Sequence, residues 1–236
     1  MDSRTTHDAI ACVARLARIM AVESSATGIA DHVMLLHGVW MRAFTLEYLH
    51  RRLDRAGFRC EPFDYASVFD SPRSNVERLI ARVRDVRASR VHYVCHSLGG
   101  LIALQAVRAA SDLPDGRIVC LGTPLRGSAV ARTLAHLPAG SSLIGKSAEL
   151  LETGLADVTF PRAVGAIAGR VPIGIGMLTR SLDAPHDGTV GVTETEAPGL
   201  SDHRVVASTH LGLLYSDEVA NLTVSFLREG RFPRSR

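Results

Sequence analysis

Lysine is all but missing from this chain of 236 residues: Lys146 stands alone, and arginine carries the rest of the positive charge. With a formal net charge of +3 and 22% charged residues, the charge is too mild and too scattered for a phosphate-binding footprint, and nucleic acid is set aside as a partner. No run of about 18 apolar residues occurs, so no segment reads as a membrane-spanning helix. A secretory apolar core is also missing, because the stretch Ile10 to Val22 is broken by Arg15 and Arg18; the expected location is the cytoplasm. Cysteine is sparse. Cys12, Cys60, Cys95 and Cys120 show neither the clustering of a disulfide framework nor a C-x-x-C metal spacing, and the last three fall in strand-like runs, so they read as reduced core thiols. Internal repeats and low-complexity tracts are absent as well.

What is present is 46% hydrophobic sequence, enough for one sizeable core in a single α/β domain. From residue 31 onward short β-rich apolar runs alternate with helical stretches, the pattern of a mostly parallel sheet. Strands are expected at His32 to Leu36, Arg59 to Tyr65, Val91 to Cys95, Arg117 to Leu121, Ala163 to Ala168 and Arg204 to Ala207. Helices are expected at Thr45 to Arg55, Asn75 to Arg87, Leu101 to Ala110, Ser128 to Ala135 and Asp217 to Arg228, the last with Ser216 as N-cap and Gly230 as stop. Two segments break the rhythm. Residues 1–29 read as a polar start and a basic amphipathic helix around Ile10, Val13, Ala17 and Met20 with a small-residue linker from Ser24 to Gly28, either packed on the domain or serving as a helix for peripheral membrane contact or for a partner. Pro138 to Pro161, rich in Gly, Ser and Leu, reads as an inserted helical cap. Its leucines Leu143, Leu150, Leu151 and Leu155 are spaced to give a helix one apolar face.

The chemistry concentrates where the run Val91-His-Tyr-Val-Cys-His-Ser-Leu-Gly-Gly100 ends abruptly at Ser97 and leads into a helix. A nucleophilic serine on such a turn sits in a strained conformation and needs small residues two before and two after it. Gly99 and Gly100 meet the need, and Cys95 stands where the first glycine of G-x-S-x-G is usual. In a second run, Val33 to Trp40, an apolar strand ends in His37-Gly38. Its loop can place the Val39 N–H beside the Leu98 N–H as an oxyanion hole. A serine nucleophile then calls for an acid and a base later in the chain. His210, after the last apolar run and before the last helix, suits the base better than His136, His186 or His203. Asp187, in the glycine turn Pro185 to Val190, suits the acid, with Asp183 as its rival.

In order, LLHGVW, CHSLGG, LGTPLRGS, IAGR, DGTVGV and STH resemble the bacterial esterases and lipases of the α/β-hydrolase superfamily over roughly residues 31 to 233. The resemblance implies an α/β-hydrolase fold, a triad of Ser97, Asp187 and His210, an oxyanion hole at Val39 and Leu98, no metal or organic cofactor, and activity on carboxylic esters. The apolar cap, with Leu150 and Leu151, and Trp40 point to a hydrophobic acyl pocket. The alternatives are an acyltransferase or thioesterase using the same residues, and a catalytically silent binding module of the same fold.

Overall fold

The six β-rich runs become strands in the computed structural model, which describes residues 31–137, 140, 144–174, 176 and 181–234. They are β1 (His32–Leu36), β2 (Arg59–Phe63), β3 (Val91–His96), β4 (Ile118–Leu121), β5 (Val164–Gly169) and β6 (Asp202–Val206). All pair in parallel, in the order β2-β1-β3-β4-β5-β6. The helices are α1 (Glu47–Arg55), α2 (Pro72–Arg84), α3 (Leu98–Ala109), α4 (Ala129–Ala135), α5 (Ala148–Thr153) and α6 (Asp217–Glu229).

Strand side chains alternate between two apolar layers, as the period of two requires. Met34, Leu36, Tyr93, Cys95, Ile118 and Cys120 share one layer with Leu79 of α2, Leu101 of α3 and Leu150 of α5. Val33, Leu35, Val94, Val119 and Leu121 share the other with Leu49 of α1 and Phe226 of α6. Covered on both faces, β1 and β3 are buried at every residue. The edge strand β2 buries only Phe63, so Cys60 is half-buried while Cys95 and Cys120 lie in the core.

Sequence and structure part at element boundaries. Helix α2 begins at Pro72, three residues before the expected Asn75, because Ser71 accepts a hydrogen bond from the Ser74 N–H (3.2 Å) and proline occupies the first turn. Helix α3 begins at Leu98 and takes in both glycines of the turn. Helix α6 keeps its expected cap, with the Ser216 hydroxyl accepting from the Val219 N–H (3.3 Å) and Gly230 left-handed at φ 77°. Between α4 and β5 the described part of the cap holds a 3-10 turn (Gly145–Ser147) and α5. Leu143, Cys12 and the helix and linker expected over 1–29 lie outside the described residues. Among those described, no helix is long and apolar enough to cross a membrane.

The register aligns Leu36 of β1 with Cys95 of β3, and Leu121 of β4 with His96. The loops that follow these three strands therefore emerge side by side at the carboxyl edge of the sheet, where open α/β sheets place their sites.

Candidate active site

Strand β3 stops at His96 and α3 starts at Leu98, which leaves Ser97 to make the turn alone, at φ 53° and ψ −122°. A side-chain-bearing residue held there costs about 1–3 kcal/mol and persists only where its surroundings insist on it. The Ser97 N–H donates to the Leu121 carbonyl (2.9 Å). Gly99 lets α3 descend onto β1: a Cβ there would lie 2.7 Å from the His37 carbonyl oxygen and 2.8 Å from that of Leu36. Cys95 is packed into the core, where burial pushes its thiol pKa well up, so it serves as a small neutral filler.

The loop after β1 is just as tightly held. Gly38 to Met41 closes a turn through the Met41 N–H and the Gly38 carbonyl (3.3 Å), with Trp40 at φ 59° in the third position, where type II turns favour glycine. The Trp40 N–H donates to the Ser67 hydroxyl (3.1 Å). Buried His37 bonds through Nδ1 to the Gly38 carbonyl (2.8 Å), stacks on Tyr65 at 4.3 Å, and its own carbonyl accepts the Tyr65 hydroxyl (2.7 Å). Desolvation lowers its pKa and favours the neutral ring, against the Asp64 carboxylate 3.3 Å from Nε2. A Cβ on Gly38 would sit 3.1 Å from the Ser97 Cβ, a measure of how closely this loop approaches the serine. The N–H groups of Val39 and Leu98 have no acceptor among the described residues.

His210 follows β6 on a loop and is buried. Its Nδ1 lies 2.7 Å from Asp187 Oδ2, and since a carboxylate only accepts, the ring proton sits on Nδ1 and leaves Nε2 as an acceptor. Asp187 is 1% exposed. Its Oδ1 accepts the Thr189 N–H (2.9 Å) and the Val190 N–H (2.7 Å), and its carbonyl accepts the His210 N–H (2.8 Å). Asp183 is exposed. His96, to which its place in the sequence assigns no role, joins the site: its buried ring lies 4.5 Å from that of His210 and its Nε2–H donates to the His210 carbonyl (3.1 Å). Burial, together with His210, pushes the His96 pKa well down, so it too is neutral. The signal was a histidine directly before the candidate nucleophile. His186 and His203 are engaged elsewhere, the first accepting the Gly188 N–H (3.1 Å) and the second paired with the Thr195 hydroxyl (2.8 Å).

Ser97 borders two cavities. One, of about 210 Å³, is lined mainly by apolar side chains, among them Val39, Trp40, Val130, Leu134, Ile144 and Leu151. The other, of about 520 Å³, also reaches His96, Thr209, His210 and Leu211. Trp40 is 60% exposed at the first cavity. Leu150, although buried, lines a separate groove with Val76, Gln105 and Lys146.

A sequence model of the alpha/beta hydrolase family matches residues 33–222. The chain belongs to the alpha/beta hydrolase family. Among solved structures, this hydrolase is similar to the mature lipase BlEst2 of Bacillus licheniformis, at 17% identity and TM-score 0.67, covering 86% of this chain and 93% of that one. It is also similar to the carboxylesterase CesB (YbfK) of Bacillus subtilis, at 15% identity and TM-score 0.54, over 85% and 84% of the two chains. A bromoperoxidase of Bacillus anthracis matches at 14% identity and TM-score 0.60, over 86% and 93%. At these identities the likeness shows the fold. Comparison with curated protein sequences finds no match.

Proposed function

We propose that this α/β hydrolase is a serine hydrolase that cleaves carboxylic esters of apolar acyl groups through an acyl-enzyme. The observation that carries this reading is that strained Ser97 and His210, whose ring is gripped by buried Asp187, border one cavity. A serine hydroxyl is a weak nucleophile until a base takes its proton. His210 Nε2 takes it as the Ser97 oxygen attacks the ester carbon, and the Asp187 carboxylate stabilises the imidazolium. The N–H groups of Val39 and Leu98 receive the oxyanion. His210 then protonates the departing alcohol, and a water activated by the same ring releases the acid and restores Ser97.

The presence of two cavities beside Ser97 supports separate places for the two halves of the ester. The alcohol must leave beside the proton donor, so it occupies the 520 Å³ cavity that contains His210. The acyl group occupies the 210 Å³ apolar cavity, against Trp40 and Leu151. Leu150 faces another groove and packs α5 onto the core outside this pocket. The width of the alcohol side also accommodates an acceptor other than water, which keeps acyl transfer and thioester cleavage as the second reading.

A panel of p-nitrophenyl esters and thioesters of increasing acyl length, run on wild type and Ser97→Ala, tests the proposal. Ester turnover should fall by about four orders of magnitude in the variant. Full turnover by Ser97→Ala overturns it, and faster thioester than ester turnover favours the second reading.

A further inference from the structure

Glu194 has no place in the reaction above, yet its carboxylate joins two walls of the acyl cavity. It lies in a 3-10 turn (Val192–Thr195) just after the loop that carries Asp187, and its side chain is 12% exposed. Oε2 accepts the Gly191 N–H (2.8 Å), from the end of that loop. Oε1 accepts the Ala129 N–H (2.6 Å), from the first residue of α4. The Arg132 guanidinium lies 3.7 Å from Oε1, and the Glu194 carbonyl accepts the Arg126 N–H (2.9 Å). The acid loop supplies Thr189 and Val190 to the cavity beside Ser97, and α4 supplies Val130, Ala131 and Leu134. The Ser128 N–H, next along, donates to the Leu151 carbonyl (2.7 Å), so α5 is tied in at the same point.

We propose that Glu194 is a specificity-determining positioning residue that holds the acid loop against α4 and thereby sets the width of the acyl cavity. Two backbone N–H groups converge on it from separate segments, and each needs its own acceptor oxygen. A carboxylate offers two such oxygens and an amide only one, so Gln leaves one of the two N–H groups facing an NH2. Asp187 is anchored independently by the N–H groups of Thr189 and Val190. The tie therefore acts on the cavity walls more than on the acid. Acetate fills only the space next to Ser97, whereas a longer acyl chain depends on both walls at once.

The proposal rests on the ester-hydrolase reading, and the experiment separates the two. The tie is broken from one side by Glu194→Gln and from the other by Ala129→Pro. The second removes the Ala129 donor, and its ring displaces the carboxylate. It suits the fold, since proline is favoured at the first helical position and Ser128 is already extended at ψ 122°. The readouts are kcat/KM for p-nitrophenyl acetate and hexanoate, thermal melting, and labelling of Ser97 by a small fluorophosphonate. The hexanoate-to-acetate ratio should fall at least roughly tenfold in each variant, the order of one unmade hydrogen bond to a charged group. It should fall little further in the double variant, because both changes cut the same tie. If Glu194→Gln does not fold, Ala129→Pro carries the test. An unchanged ratio in variants whose Ser97 still labels overturns the proposal alone. A wild type whose Ser97 does not label overturns the ester-hydrolase reading, and this one with it.

Discussion

Replacing Asp187 by asparagine changes one atom at the point where the fold meets the proposed chemistry. In the wild type Oδ1 accepts two backbone N–H groups of its own loop and Oδ2 faces His210 Nδ1 at 2.7 Å. The asparagine carbonyl oxygen can keep both loop hydrogen bonds, so the loop should stay in place. The loss in stability should stay within about 1 kcal/mol, roughly 2–4 °C in Tm for a chain of this size. The new NH2 then points at His210 and donates, which forces Nδ1 to accept and moves the ring proton to Nε2, the nitrogen that must take the proton of Ser97. A ring locked in the wrong tautomer should cost about three to four orders of magnitude in kcat, about 4–5.5 kcal/mol of barrier. The assay is kcat on p-nitrophenyl butyrate at neutral pH, with a melting curve to show that the fold survives. Asp183→Asn is the control, because that side chain is exposed and its loss should leave turnover close to wild type. Near-normal turnover by Asp187→Asn, or an inactive and folded Asp183→Asn, would rule Asp187 out as the acid.

Three further outcomes follow from the packing. Gly99→Ala drives a methyl into the His37 and Leu36 carbonyls at 2.7 and 2.8 Å, which should cost about 1–3 kcal/mol and lower Tm by about 2–4 °C for each of them; an unchanged Tm would contradict the contact. Leu151→Ser should reduce turnover of long-chain esters more than of acetate, since Leu151 lines the cavity beside Ser97, whereas Leu150→Ser should lower Tm and leave the chain-length ratio alone; equal effects on the ratio would count against the assignment of the cavity. His96→Phe strips the His210 carbonyl of its donor and should lower kcat by roughly tenfold. The acid limb of the pH profile should keep its shape, because a ring whose pKa lies well below the ordinary histidine value is already neutral there; a displaced limb would show that His96 titrates with the reaction.

Much of this arrangement was legible in the sequence because local patterns decide it. An apolar run stopping at Ser97 before two glycines can hardly be anything but a strand, a turn and a helix. Ser97, Asp187 and His210 fall in chain order on the segments after β3, β5 and β6. What escaped was set by distance in sequence. That β2 would be an edge strand, with Cys60 half-buried, depends on which strands have no second neighbour, here β2 and β6. Leu150 and Leu151 share one apolar stripe in the sequence, but adjacent helical residues point about 100° apart, and the two face different cavities. Helix α3 absorbed Gly99 and Gly100 despite their low helix propensity, because a Cβ has no room at either place, against Leu36 and His37 at Gly99 and against Thr123 at Gly100. The links that hold the site, from Trp40 to Ser67, Tyr65 to His37 and Glu194 to Ala129, join residues 27, 28 and 65 positions apart, beyond the reach of any periodicity.

If Ser97 is a nucleophile activated by His210, covalent capture reads that activation out on the intact protein. A fluorophosphonate reacts readily with a serine whose base is in place and poorly with an ordinary hydroxyl. Wild-type protein should gain the mass of a single probe, mapped by peptide analysis to Ser97, while Ser97→Ala should gain none and His210→Ala should label far more slowly. Labelling of another residue, or ester hydrolysis by a protein whose Ser97 stays unmodified under saturating probe, would rule Ser97 out as the nucleophile.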